Sequence, residues 1–146
     1  MSIAGSNADD DRNDRGCDVA VPAVHVLIGS DADIVIARQQ SRALAVALKF
    51  SSTDSAFIAT TVSELARALL MHTVRGEIWL QRVHDDNRTG VAIVAQDPVV
   101  DDSTDRRAWG ENAALPDVCR LVDEFDIASE AGRGTTIRAV KWHRRR

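Results

Sequence analysis

Apolar positions recur along this chain with two periods. Val24 to Ile28 is a short apolar run, broken by Gly29-Ser30-Asp31, and reads as a buried strand. From about Asp33 to Lys49 the spacing lengthens. Ile34, Ala37, Ser41, Leu44 and Leu48 fall three or four residues apart, so one face of a helix can pack. Asp31 or Asp33 is placed to cap its first amides. Ser51-Ser52-Thr53-Asp54 opens a second helix, in which Ile58, Val62, Leu65 and Leu69 repeat at helical spacing to about Thr73. Gly76 closes the connection. Alternation then takes over from Glu77 to Val83, with Ile78 and Leu80 set against Glu77, Trp79 and Gln81. A turn-rich stretch from Asp85 to Gly90 leads to a further strand, Val91 to Ala95, and the pair predicts a hairpin.

Residues 97–114 carry no period and predict a long loop, a place where functional lids are common. Pro116 suits the first turn of a third helix, with Val118, Leu121, Val122 and Phe125 as its apolar face. A last hairpin runs from Asp126 to Ser129, through Ala131-Gly132-Arg133-Gly134, to Thr135–Trp142. The order is strand, helix, helix, strand, strand, loop, helix, strand, strand. That order favours an α+β sandwich with helices on one face of a mixed sheet. The expected organisation is one domain over 23–142. Before it, residues 1–22 are rich in Asp, Asn, Gly and Ser and read as a disordered acidic tail. After it, 143–146 form a short basic tail.

Composition narrows the function classes. A chain of 146 residues, 45% hydrophobic and 27% charged, suits one soluble domain. Its formal charge of -4 lacks the basic excess of a nucleic-acid binder, so no direct nucleic-acid partner is expected. No apolar run approaches the roughly 20 residues of a membrane span. No basic segment followed by an apolar one opens the chain, so a cytoplasmic protein without a membrane partner is expected. Cys17 and Cys119 form no CxxC pattern, and His25, His72, His84 and His143 show no HxxxH or HxH spacing. Neither a disulfide framework nor a metal cluster is expected.

Four stretches resemble one family. Ser-Asp-Ala-Asp-Ile-Val-Ile-Ala-Arg-Gln-Gln-Ser-Arg-Ala-Leu-Ala, residues 30–45, looks like the first helix of RsbT-type serine kinases and anti-sigma factors. Ser-Glu-Leu-Ala-Arg, 63–67, is similar to the start of their N-box. Leu-Pro-Asp-Val-Cys-Arg-Leu-Val-Asp-Glu-Phe, 115–125, resembles the helix after their ATP lid. Gly-Arg-Gly-Thr-Thr-Ile, 132–137, resembles their closing GKGTT-like motif. The order of motifs agrees from about residue 24 to residue 142. The resemblance implies the GHKL (Bergerat) ATPase fold, a two-layer sandwich with a mixed, mostly antiparallel sheet covered by three helices.

It also implies a chemistry and a partner. In the family an N-box glutamate polarises the attacking hydroxyl or water, and an asparagine one turn later holds magnesium. Glycine-rich loops let backbone amides approach the phosphates. Glu64 stands in the glutamate position, but Ala68 takes the place of the asparagine and has no oxygen to offer a cation. Asp97 matches the acid that pairs with adenine, yet Pro98, Val99 and Val100 replace the glycines expected after it. The second glycine box reads Gly110-Glu111-Asn112-Ala113-Ala114, in which only Gly110 is kept. Gly134 and Thr135 match the closing motif, although a tight hairpin alone would also need the glycine. Trp109 is either a binding anchor on a lid or a plug for a vacated cleft.

The expectation is a degenerate member, with the fold kept, the ATP site eroded and no cofactor; ATP and magnesium would bind only if the site functions. The implied partner is a STAS-domain antagonist or another regulator of a sigma-factor pathway. It would dock on the first and N-box helices, where Arg38, Arg42 and Arg67 lie. The rival expectation is an active serine/threonine kinase with Glu64 as base. A third is a GHKL-fold module recruited to an unrelated protein or small ligand.

Overall fold

The computed structural model describes residues 23–73, 75–98, 114–130 and 134–143. Its elements follow as β1 (Val24–Ile28), α1 (Asp31–Ala47), α2 (Ser52–His72), β2 (Gly76–His84), β3 (Thr89–Asp97), α3 (Ala114–Cys119), β4 (Glu124–Glu130) and β5 (Gly134–Trp142). The strands form one five-stranded sheet in the order β1-β2-β3-β5-β4. All four pairings are antiparallel, so the sheet contains no parallel pair among the described residues.

Strand alternation sorts the sheet into two faces. Val26, Ile78, Ala95 and Ile137 stand opposite one another across β1, β2, β3 and β5, and all are buried. With Leu80, Ile93 and Ala139 they form the sheet half of the main core. The helical half comes from Ile34, Ala37 and Ala45 of α1 and from Ile58, Val62, Leu65 and Leu69 of α2. The expected apolar stripes of both long helices are thus the ones that pack. The opposite face carries His25, Trp79, Val94, Arg138 and Asp126 in one cross-strand row.

Local signals set the helix ends with one change from expectation. Ser51 caps α2, its Oγ accepting from the Asp54 amide at 3.0 Å. At α1 neither Asp31 nor Asp33 caps the first amides. Ser30 is the N-cap residue without a side-chain cap bond, and Asp33 reaches backwards. Its Oδ2 accepts from the Gly29 amide at 2.9 Å and the Ser30 hydroxyl at 3.3 Å. This is the reciprocal half of a capping box, in which an acid inside the first turn satisfies a donor just before it.

The third helix is the larger departure. It ends at Cys119, so of its expected apolar face only Val118 lies within it. Arg120 and Leu121 close the turn with bonds to the carbonyls three residues back. Val122 is buried in the turn, and Phe125 is a residue of β4. The reason is competition for backbone bonds. The Asp123 amide donates to Val140 at 2.8 Å, and its Oδ2 accepts from the Trp142 amide at 2.7 Å. Joining β5 satisfies groups that further helix would have bonded internally, and the same apolar spacing serves both outcomes. Residues 1–22, the 99–113 part of the long loop with Trp109 and Gly110, the turn at 131–133 and residues 144–146 lie outside the described residues.

At one end of the helix-free face, Trp142 packs against Val83, Ala92 and Val140. The Arg88 guanidinium lies 3.9 Å from the centre of the Trp142 ring, and Trp142 Nε1 donates to Glu124 Oε2 at 2.8 Å. Arg88 also pairs with Asp85 at 2.7 Å, and its hydrogen bond holds the Asp85 carboxyl below the usual aspartate range. A depressed folded pKa stabilises the fold above the unfolded value, and that contribution disappears as pH falls through the folded value. The pair is exposed, so the effect is small. An NMR titration of Asp85 should give a midpoint below about 3.9. In Arg88→Ala that midpoint should rise toward the ordinary value, because the side-chain bond that lowers it most is gone.

Candidate functional site

Asp97, Gly134 and Thr135 meet at one end of the sheet. Asp97 is the last residue of β3 and sits opposite Thr135, the second residue of β5. Both side chains are buried, at 0% and 1% exposure. Ser129 lies across from Thr135 on β4, and their hydroxyls are 2.8 Å apart. Asp97, Thr135 and Ser129 therefore form a polar row across three strands, on the face that also carries Ile137 and Ala139. Gly134 is held by two constraints. Its φ is +82°, and a Cβ there would collide with the Asp97 carbonyl oxygen. The glycine is thus needed for the closeness of the two strands as well as for the turn.

Helix α2 supplies the other half. Asp54, Phe57, Thr61, Glu64 and Ala68 recur at three- and four-residue steps and share one face. At its N-terminal end this face meets β5, where Lys141 Nζ lies 3.7 Å from Asp54 Oδ1 and 5.2 Å from the centre of the Phe57 ring. At the other end Leu69 packs on Gly76, so tightly that a Cβ on Gly76 would come within 2.8 Å of it. Gly76 precedes Glu77, the partner of Gln96, so this end of α2 overlies the sheet end that holds Asp97. Ala68 precedes Leu69 at this end of α2.

The two N-box positions differ in surroundings. Glu64 is partly exposed, and its Oε1 lies 4.0 Å from Arg67 Nε, an intrahelical pair at the outer limit of contact. Ala68 is 1% exposed and belongs to the main apolar core. It offers no donor, and an apolar setting disfavours a bare cation. The magnesium site implied by the resemblance does not fit this position. Asp97 and Thr135, matched by the resemblance to the adenine end, are register partners on β3 and β5, and both are buried. Gly110, the remaining nucleotide-binding candidate, lies outside the described residues.

The arginines lie elsewhere. Arg38 and Arg42 stand one turn apart on the exposed side of α1, with Val35, Gln39 and Val46 on the same side. Arg67 is on α2 beside Glu64, its side chain 56% exposed. The sequence reading passed over two features. Lys141 is 4% exposed and paired with Asp54, and the Ser129–Thr135 hydroxyl pair extends the polar row. The first had a signal, since Lys141 follows Thr135, Ile137 and Ala139 at two-residue steps and so falls on the covered face.

No protein-family model matches the chain. A curated relative does: the chain is 38% identical over 141 residues to the serine/threonine-protein kinase RsbT of Bacillus subtilis (strain 168). The match covers 90% of this chain and 99% of the relative. No described helix is long and apolar enough to cross a membrane. Identity at that level over nearly the whole relative, joined to the five-stranded α+β sheet under its helices, establishes that the chain belongs to the RsbT-type serine/threonine kinase family of anti-sigma regulators.

Proposed function

We propose that this chain is a partner-switching regulator that binds a STAS-domain antagonist, or a related regulator of a sigma-factor pathway, without efficient ATP hydrolysis or phosphoryl transfer. The observation that carries this reading is Ala68. It stands one turn after Glu64, where the family places its magnesium ligand, and it is buried in the apolar core. The losses at Pro98, Val99 and Val100 and at the second glycine box agree with it. Each lost charge-assisted bond to a phosphate removes roughly 1.5–3 kcal/mol, so two or three lower nucleotide affinity by orders of magnitude. In this reading Asp97, Gly134 and Thr135 are kept as the packed end of the sheet. Arg38 and Arg42 on α1, with Arg67 on α2, present cations to an acidic partner surface. The protein acts in the cytoplasm by sequestering that partner or competing for it.

Titration calorimetry with MgATP and MgADP tests this, with Ala68→Asn as the comparison. The expected result is no detectable heat at millimolar nucleotide for the unmodified protein. Micromolar binding by the unmodified protein would overturn the reading.

A second reading has its own support in the identity to a serine/threonine-protein kinase and in the partial exposure of Glu64. In it, Glu64 accepts the proton of a STAS-domain serine as the γ-phosphoryl of ATP is transferred. Phosphate transfer to such a domain, abolished by Glu64→Ala, would establish it in place of the first.

A further inference from the structure

Taking Arg38 and Arg42 as a partner surface, the reading on which this rests, we propose that the acid-rich segment ahead of β1 docks on the arginine side of α1. There it covers both arginines until an acidic partner displaces it. The segment, residues 1–22, holds Asp9, Asp10, Asp11, Asp14 and Asp18 against Arg12 and Arg15, a formal charge of -3 (2 less 5). Beyond its first turn α1 holds Arg38 and Arg42 and no carboxylate. Opposite charge brings the two together, as it would bring an acidic partner.

The arginines are open to such a contact. Val35, Arg38, Arg42 and Val46 recur at three- and four-residue steps, share one side of α1 and are all exposed. Lys49, just past the helix, is exposed as well. Arg67, Arg88 and Lys141 each lie within 4.0 Å of a carboxylate, at Glu64, Asp85 and Asp54. Arg38 and Arg42 have no such neighbour among the described residues. Val19 and Val21 of the segment suit the two valines beside them.

The fold brings the segment in beside this helix. Only Gly29 and Ser30 join β1 to α1, and the two elements pack together, so the helix runs back along the strand. A strand of five residues spans about 16 Å, and a helix regains that length in about eleven. Ser41 and Arg42 therefore stand level with Val24, next to which the segment joins. Asp18 precedes Val24 by six positions (24 less 18) and Asp11 by thirteen (24 less 11). At up to ~3.5 Å per residue these spans reach about 21 Å and about 45 Å, against a helix about 10–12 Å across. The aspartates can thus pass round α1 to its arginine side. Tethering holds them there at an effective concentration of order millimolar. A segment bound about nine-tenths of the time lowers the apparent affinity of an acidic partner about tenfold.

A nitroxide label on the whole chain tests this, placed by Ser6→Cys in a Cys17→Ser/Cys119→Ser background. Cys119, Arg38, Arg42 and Arg138 are exposed, so the changes made at them leave the domain folded. At low salt the amide signals from Val35 to Val46 should broaden, and ~1 M salt should restore them. Asp9→Asn/Asp10→Asn/Asp11→Asn should cut that broadening at least about threefold, and Arg38→Gln/Arg42→Gln should do the same. Arg138→Gln, on the helix-free face, should leave it unchanged. Signals on α1 that do not broaden overturn the proposal. So does broadening that survives Arg38→Gln/Arg42→Gln, or that Arg138→Gln removes to the same extent. No partner is present in the measurement, so a failure to dock overturns this proposal alone and leaves the partner surface itself untouched.

Discussion

Replacing Asp54 with alanine is expected to destabilise the protein by about 3 kcal/mol, a fall in melting temperature of roughly 10 °C. Lys141 lies under the first turn of α2, its side chain 5% exposed, with Asp54 Oδ1 at 3.7 Å and the Phe57 ring at 5.2 Å. Attraction in a buried pair mainly offsets the cost of taking both charges from water. Removing one partner leaves the other charge with the cost uncompensated. The two ends of the pair should not respond alike. Asp54 sits in the first turn of α2, where the helix dipole favours a carboxylate, and it is 11% exposed. It therefore tolerates the loss of Lys141 better than Lys141 tolerates the loss of Asp54. Lys141→Met should cost only about 1 kcal/mol, because its aliphatic length still packs on Phe57. Urea and thermal unfolding of the two variants would check the order. Equal losses would mean that packing alone holds Lys141 in place.

Gly134→Ala should cost about 3 kcal/mol, for two separable reasons. A φ of +82° lies in the left-handed region, where an alanine loses roughly 1–2 kcal/mol against glycine. The added methyl would also meet the Asp97 carbonyl oxygen, so the first rungs of the β3–β5 ladder must part. The damage should be local before it is global. Hydrogen exchange should accelerate first at Asp97, Thr135 and Thr136, while the β2–β3 ladder near Val91 keeps its protection. Unfolding measurements give the total, and the exchange pattern separates strain at this end from general loosening. A fall of under half that size, with exchange unchanged at Thr135, would show that the turn relaxes without moving β3.

Much of the secondary structure was legible because it is written in local periods. Ile58, Val62, Leu65 and Leu69 declare one buried helical stripe whatever lies across from it. Ile78 and Leu80 likewise declare one buried face of a strand. The length of the third helix was overread on the same logic. Val118, Leu121, Val122 and Phe125 satisfy a helical spacing, but they were consumed by a turn and a strand once Asp123 bonded β5. Periodicity records which side chains seek burial and not which backbone partner wins.

At the candidate site, the sequence nominated residues by their match to a pattern. It located Glu64 and its missing companion at Ala68, and it matched Asp97, Gly134 and Thr135 to one family's pattern. It could not show that Ala68 packs into the core, or that Gly134 is required by the carbonyl of a residue 37 positions earlier (134 less 97). Nor did it set Lys141 against Asp54. The strand order β1-β2-β3-β5-β4 is also a product of the assembled sheet. Helix and strand periods depend on neighbours a few residues away, so the chain alone determines them. Pairing, close approach and charge burial depend on groups distant in sequence, and only their packing in three dimensions decides which of them meet.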